Sequence, residues 1–285
     1  MIVVEDLTFR YPHAGADTLR GLSFAVAPGE VYGLLGPSGA GKSTTQRILM
    51  GLLRGHGGRA ELFGVPVDRL GRALYERIGV SFELPSVYLR LTARENLALF
   101  AALYERKTRD PLDALTLVDL ADAADQRVEQ FSKGMKMRLN LARALLHDPD
   151  LVFLDEPTTG QDPARSRTTR DLIRGLRNAG KTVFMTTHNM AEAEEVCDRV
   201  GFLADGRIPV TGTPEELKLH FGEHRLEVGV SGGDGRVDKL SFAMDGIGND
   251  QAFLDLLRSG RVVSLHSQDA TLDDVFIRAM DGERK

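Results

Sequence analysis

The chain has 285 residues, 42% of them apolar and 27% charged, the composition of an ordinary globular protein with room for about two domains. A net charge of −5 gives no basic field to favour nucleic acid or anionic lipid. The single cysteine, Cys197, excludes an internal disulfide framework and a thiolate metal cluster.

The longest apolar run, Leu97 to Tyr104, falls far short of the ~20 residues a bilayer requires. The N-terminus turns acidic at Glu5 and Asp6 and carries no leader pattern. A chain that is soluble, or peripheral through a partner, is expected.

In chain order, residues 2–4 and 7–9 read as a short strand pair. Residues 22–26 alternate and stop at Pro28-Gly29, a turn signal. The apolar run 30–35 suits a buried strand. A glycine-rich stretch, 36–41, leads into a helix over 42–53 that stops near Gly55. Thr92 to Glu95 has capping-box spacing before a helix body at 97–104, and a second helix covers 112–120. A third runs from Ser132 to Leu146, where Met135, Leu139, Ala142 and Leu146 share one face.

The run 151–154 reads as a buried parallel strand ending at Asp155-Glu156. A helix over 163–177 ends near Gly180. A strand at 182–186 leads to Thr187-His188, then a helix at 191–197 and a strand at 200–204. Such alternation predicts an α/β layer with a parallel sheet. Residues 219–285 read as a separate small α+β unit. It holds strands at 225–230 and 236–242 about a turn at 232–235, a helix at 252–257, a strand at 262–266, and a helix opened by Thr271.

Gly36-Pro37-Ser38-Gly39-Ala40-Gly41-Lys42-Ser43 satisfies GxxxxGK[ST] between a strand and a helix. Its glycines let backbone N–H groups curl around phosphate oxygens, and the helix N-terminus adds positive potential. Lys42 reaches the β/γ-phosphates, the Ser43 hydroxyl can coordinate Mg²⁺, and Thr44 follows in the same turn. Asp155, at a strand's carboxyl end, would hold Mg²⁺ through water, and Glu156 would polarise the attacking water. Together these residues predict a P-loop NTPase.

Phe131-Ser132-Lys133-Gly134-Met135 lies before Asp155, with Ser132 23 positions upstream of it, and resembles the LSGGQ signature of ATP-binding cassette (ABC) proteins. Ser132 and Gly134 match; Phe131, Lys133 and Met135 do not. The FSKGM form is similar to that of single-cassette ATPases of drug and polysaccharide exporters. The resemblance covers about residues 1–218. It implies a P-loop NTPase (RecA-like) core with an antiparallel β subdomain and an inserted helical subdomain at about 84–146, followed by the C-terminal unit.

The same resemblance implies site roles. Tyr11 matches the aromatic that stacks on adenine, Asp162 belongs to the segment before Pro163 that matches the D-loop, and His188 matches the histidine that meets the γ-phosphate. Gln161 stands in that D-loop where leucine is usual. ATP and Mg²⁺ are the implied ligands. A homodimer or heterodimer would sandwich two nucleotides, each between one P-loop and the partner's Ser132 helix. The C-terminal Thr271-Leu272-Asp273-Asp274-Val275-Phe276 resembles the TLEDVF ending of ABC-2-type exporter ATPases. That implies a polytopic ABC-2-type permease partner at the cytoplasmic face of the membrane, reached through residues 83–104.

One residue departs from the family. The usual Q-loop glutamine is replaced by Glu83, which can still ligate Mg²⁺ but adds negative charge beside phosphates. Ser81-Phe82-Glu83 is similar to the form in some drug-exporter ATPases, fluoroquinolone exporters included. Two other readings compete. A soluble ABC ATPase of translation would carry two cassettes, but one P-loop occurs here. One of DNA repair would carry a coiled coil between Lys42 and Asp155, which show no sustained heptads between them. A non-hydrolysing nucleotide-binding regulator is opposed by Lys42, Asp155, Glu156 and His188.

Overall fold

The structure is a computed structural model that describes residues 1–222, 225–232, 236–268 and 270–282. The chain divides into two compact units, Met1–Gly212 and Thr213–Lys285. In chain order the first unit runs β1 (Ile2–Phe9), β2 (Leu19–Val26), β3 (Val31–Leu35), α1 (Lys42–Leu49), β4 (Gly57–Leu62), β5 (Val65–Pro66), α2 (Arg72–Tyr75) and β6 (Ile78–Ser81). It continues with α3 (Ala93–Ala101), α4 (Pro111–Thr116), α5 (Lys133–Leu145), β7 (Leu151–Asp155), α6 (Pro163–Asn178), β8 (Thr182–Thr187), α7 (Met190–Val196), β9 (Arg199–Ala204) and β10 (Arg207–Gly212).

Six strands form the main sheet in the order β10-β9-β3-β8-β7-β6. All its neighbours are parallel except the edge pair β10–β9. β3, β7 and β8 are buried along their whole length, which explains their unbroken apolar character. Parallel pairing places the carboxyl ends of β3, β6, β7 and β8 along one edge. Leu35 lies beside Thr187, Asp155 beside Thr186, and Ser81 beside Leu154. That edge is where ligands of parallel sheets bind.

A second sheet, β2-β1-β4-β5, is antiparallel. Its inward residues Ile2, Leu7, Leu22 and Phe24 join Tyr32, Phe153 and Phe184 of the main sheet in one core. Phe24 and Tyr32 stack at 5.4 Å, and Tyr32 and Phe184 at 6.0 Å.

Several elements differ from the sequence reading. Residues 2–9 form one strand rather than a pair of strands. Its alternation breaks because Asp6 adopts φ 50° and the register shifts between Val4 and Leu7. α1 ends at Leu49, not Leu53, because the chain turns at Gly51. α4 ends at Thr116, and Asp119 at φ 56° turns the chain away. β4, β5, β6, β10 and α2 were not foreseen. β4 opens on Gly57-Gly58, β6 spans four residues, and β10 contains Pro209, which an edge strand tolerates.

The helical segment between β6 and β7 follows its capping signals. The Glu95 N–H donates to the Thr92 hydroxyl at 3.1 Å, and the Thr92 N–H donates to Glu95 Oε2 at 2.8 Å. α5 buries Met137, Leu139, Leu141, Ala142 and Leu145. Its Asn140 Nδ2 donates to Ser81 Oγ and to the Phe82 carbonyl, both at 3.0 Å. Those two bonds fix the backbone just before Glu83.

The second unit comprises α8 (Pro214–Phe221), β11 (Arg225–Ser231), β12 (Val237–Ala243), α9 (Gln251–Arg258), β13 (Val262–Gln268) and α10 (Leu272–Gly282). Its three strands pair antiparallel in the order β12-β11-β13. Phe253 and Leu256 of α9 cover Val228 and Val230 of β11. Thr271 caps α10, exchanging bonds with Asp274. Of the expected turn at 232–235, residues 233–235 lie outside the described residues.

Candidate active site

The loop after β3 has little freedom to carry other residues. A Cβ on Gly36 would stand 2.2 Å from the Leu203 carbonyl oxygen, and one on Gly41 would stand 2.7 Å from Leu19 Cδ2. Gly41 also holds φ 114° at the start of α1. Inside this loop the buried Lys42 folds back on its own turn. Its Nζ donates to the Gly36 carbonyl at 2.6 Å and to the Pro37 carbonyl at 3.1 Å. Burial lowers the ammonium pKa, while the carboxylates of Glu156, Asp155 and Glu83 oppose that shift.

Those groups share one cavity of ≈ 430 Å³. Ser38, Gly39, Gly41, Lys42, Ser43 and Thr44 form one wall, and Tyr11, Glu83, Asp155 and Glu156 face it. Gly36, Pro37 and the buried Ala40 complete the loop behind that wall. Thr18 also lines the cavity and was not foreseen; nothing in the sequence beyond its place before β2 marks it. Tyr11 is held edge-on by Phe9 at 5.0 Å, and its hydroxyl lies 3.1 Å from Thr44 Oγ1.

Asp155 ends β7 beside Thr186, whose hydroxyl donates to Asp155 Oδ1. Burial, reinforced by the Glu156 charge, raises the Asp155 pKa. The next residue, Glu156, holds φ 50°, a backbone region that side-chain-bearing residues seldom adopt. The turn there lifts its carboxylate off the strand end. Both oxygens are then occupied. His188 Nδ1 lies 2.8 Å from Oε1, while the hydroxyls of Thr187 and Thr159 lie 3.3 Å and 3.4 Å from Oε2. The two threonines were missed because the sequence offered them only as neighbours of Glu156 and His188.

His188 does not line the cavity itself but meets it through Glu156, and Ser132, Gly134 and Asp162 do not line it. Ser132 caps α5, its Oγ accepting from the Met135 N–H at 3.2 Å. A Cβ on Gly134 would stand 3.7 Å from the Gly160 carbonyl oxygen, and Asp162 caps α6 through the Arg165 N–H at 3.0 Å. Gln161 is engaged within its own loop, donating to the Pro157 carbonyl at 2.8 Å and accepting from the Thr169 hydroxyl at 2.9 Å. His13, His56 and Cys197 take no part in the cavity.

Residues 19–159 match the family model for the ABC transporter, and residues 227–269 match that for the fluoroquinolone efflux ABC transporter C-terminal domain. A fluoroquinolones export ATP-binding protein of Mycobacterium tuberculosis is 51% identical over 277 residues, spanning 97% of this chain and 92% of its own. The chain belongs to the ABC transporter family. A Nod factor export ATP-binding protein of Rhizobium meliloti is 37% identical over 94% of this chain and 84% of its own. Among solved structures, an ATP-binding cassette in a dimeric post-hydrolysis state with ADP and Pi superposes with TM-score 0.68. It is 26% identical and covers 75% of this chain and 98% of its own.

This ABC protein is therefore an ATPase, and the mixed parallel core with its antiparallel and helical parts is the cassette fold. ATPase subunits of this family act as dimers with membrane subunits. Among the described residues of this one, no helix is long and apolar enough to cross a membrane.

Proposed function

We propose that the chain is the ATPase subunit of an exporter for drug-like or other hydrophobic molecules. It would act at the cytoplasmic face of the membrane on a separate polytopic ABC-2-type permease, as a homodimer or a heterodimer. The observation that carries the reading is the convergence of Lys42, Ser43, Asp155 and Glu156 on one cavity, with His188 bonded to Glu156. The export ATP-binding relatives and the matched efflux C-terminal domain support the substrate class. On this reading residues 1–218 are the ATPase domain and 219–285 an accessory domain.

On this reading each residue of the site has a role. Adenine stacks on Tyr11, worth roughly 1–3 kcal/mol by analogy with base–aromatic stacking. The backbone N–H groups of residues 38–44 bind the β- and γ-phosphates. Lys42 leaves the Gly36 and Pro37 carbonyls for phosphate oxygens, a stronger charge-assisted contact. Glu156 takes the proton of the attacking water. The water oxygen bonds to the γ-phosphorus, the bond to the β–γ bridging oxygen breaks, and ADP and phosphate result. His188 stands beside Glu156 to meet the γ-phosphate.

Ser43, Asp155 and Glu83 line the cavity with the hard oxygen donors that suit Mg²⁺, which takes one or two carboxylates and leaves other positions to phosphate. Bound there, the ion would neutralise charge developing on the phosphates. Ser132, Gly134 and Asp162 lie outside the cavity and remain for the nucleotide of a second ATPase subunit.

Glu83→Gln removes a negative charge from the phosphate side while keeping an oxygen ligand. Turnover is expected to stay within about threefold of wild type or to rise. Steady-state phosphate release checks this, and a loss beyond about tenfold would show that the carboxylate itself is required.

The reading as a whole is tested by tagging the chain in its native cell and extracting membranes with mild detergent. A polytopic protein recovered with it near one to one is expected. Recovery from the cytosol alone, or with ribosomes or DNA, would overturn the transporter reading.

A further inference from the structure

One buried carboxylate stands behind the site and has no part in the chemistry described above. Glu192, on α7, is 1% exposed. Its helix starts at the Asn189 cap, whose Oδ1 accepts from the Glu192 N–H at 3.1 Å. The side chain points towards the end of β8. There the Thr187 Oγ1 lies 3.2 Å from Glu192 Oε2 and 3.3 Å from Glu156 Oε2. The same Oγ1 also accepts from the Asn189 N–H at 3.0 Å.

A hydroxyl has one hydrogen and two lone pairs. With the Asn189 N–H filling one lone pair, Thr187 can donate to only one of the two carboxylates. The remaining lone pair then needs a donor. If both glutamates are ionised, one contact faces oxygen to oxygen with no hydrogen between them. If one is protonated, every contact is satisfied. Glu156 has His188 and Thr159 as further partners, so the Thr187 hydrogen is not its sole contact. Glu192 Oε1 makes no hydrogen bond of good geometry among the described residues, the Thr158 hydroxyl serving the carboxyl only weakly, and a buried ion so poorly paired is costly.

We propose that Glu192 is a positioning residue for ATP hydrolysis: as a neutral acid it donates to Thr187, which turns its own hydrogen onto Glu156 and holds that carboxylate for the attacking water. This rests on the reading of Glu156 as the proton acceptor. The proton stays on Glu192 and is not transferred in the reaction. Burial, and secondarily the Glu156 charge, push the Glu192 carboxyl up to about 7, against the hydroxyls of Thr158 and Thr187 and the charge of Arg170 on α6. The other titratable groups nearby are Cys197, kept neutral by burial, and His188. As pH rises through that value Glu192 loses its hydrogen, the contact to Thr187 reverses, and Glu156 loses the Thr187 donor while keeping its other partners.

The test measures ATP turnover of the full chain from about pH 6 to pH 9 for wild type, Glu192→Gln and Glu192→Ala. The amide of the Gln variant can donate to Thr187 at any pH. Glu192→Ala is expected to lower kcat about tenfold with the KM for ATP within about twofold, and Glu192→Gln to recover most of that loss. The ratio of wild-type to Glu192→Gln turnover is expected to fall about threefold or more as pH rises, because only wild type can lose the hydrogen. A flat ratio, or a Gln variant as impaired as the Ala variant, would overturn the proposal. Should Glu192→Ala fail to fold, the ratio alone decides. Loss of turnover in Glu156→Gln beside a flat ratio would sink the role of Glu192 only. Full turnover in Glu156→Gln would instead remove the reading on which it rests.

Discussion

Replacing Glu156 by glutamine is expected to lower ATP turnover by about 10²–10⁴-fold while ATP still binds. Glu156 lines the cavity, and a left-handed φ of 50° lifts it off the end of β7. Holding that backbone costs about 1–3 kcal/mol, a strain that persists only where the surroundings over-determine it. Three side chains do so here, with His188 on one oxygen and Thr187 and Thr159 on the other. An amide keeps the shape and much of this bonding but cannot accept a proton from water. Equilibrium binding of a fluorescent ATP analogue, beside single-turnover phosphate release, separates the two effects. Binding unchanged with turnover lost is the expected pair; turnover within about threefold of wild type would show that another group takes the proton.

The second large effect is expected at Lys42. Lys42→Ala should weaken ATP binding about tenfold or more and lower turnover by about 10²–10³-fold, the usual consequence of removing a charged donor aimed at the transition state. Lys42 is the cation placed inside the phosphate loop, and its ammonium is already largely stripped of water. The Gly36 and Pro37 carbonyls hold it within the loop, so it is pre-positioned rather than recruited from solvent. Isothermal titration with ATP and a steady-state assay measure the two quantities. A variant that binds ATP as wild type does would place the phosphates elsewhere.

Much of this site can be read from the residues in order, because its chemistry sits in short contiguous segments. Residues 36–44 declare a phosphate loop by spacing alone, and Asp155-Glu156 follow an apolar run that needs no partner to be seen. What lies between segments is harder. The hydroxyl contacts of Thr159 and Thr187 to Glu156 depend on β7 and β8 being neighbours in the sheet, which pairing establishes and sequence does not. Glu192 is hidden in a run of acidic residues, Glu192, Glu194 and Glu195, that looks like a solvated helix face. Only the direction of α7 turns the first of them inward.

The fold shows the same division. β3, β7 and β8 are buried on both faces and read as apolar runs. β4 and β10 go unseen because glycine and proline interrupt them, and β6 because it is four residues long with Gly79 among them. Each is specified by its neighbours rather than by its own pattern. The bulge at Asp6 split one strand into two apparent strands for the same reason.

ATP turnover at Glu156 is expected to drive export through a membrane subunit. Everted membrane vesicles holding this chain with its co-purified permease test it most directly. They would be given ATP with a regenerating system and a panel of fluorescent hydrophobic drugs, all on the outer side, to which everting turns the ATPase. Wild-type vesicles should accumulate at least one of the drugs, and only with ATP, whereas Glu156→Gln vesicles should accumulate none. Equal uptake by the two, or none by wild type while it hydrolyses ATP, would contradict the account.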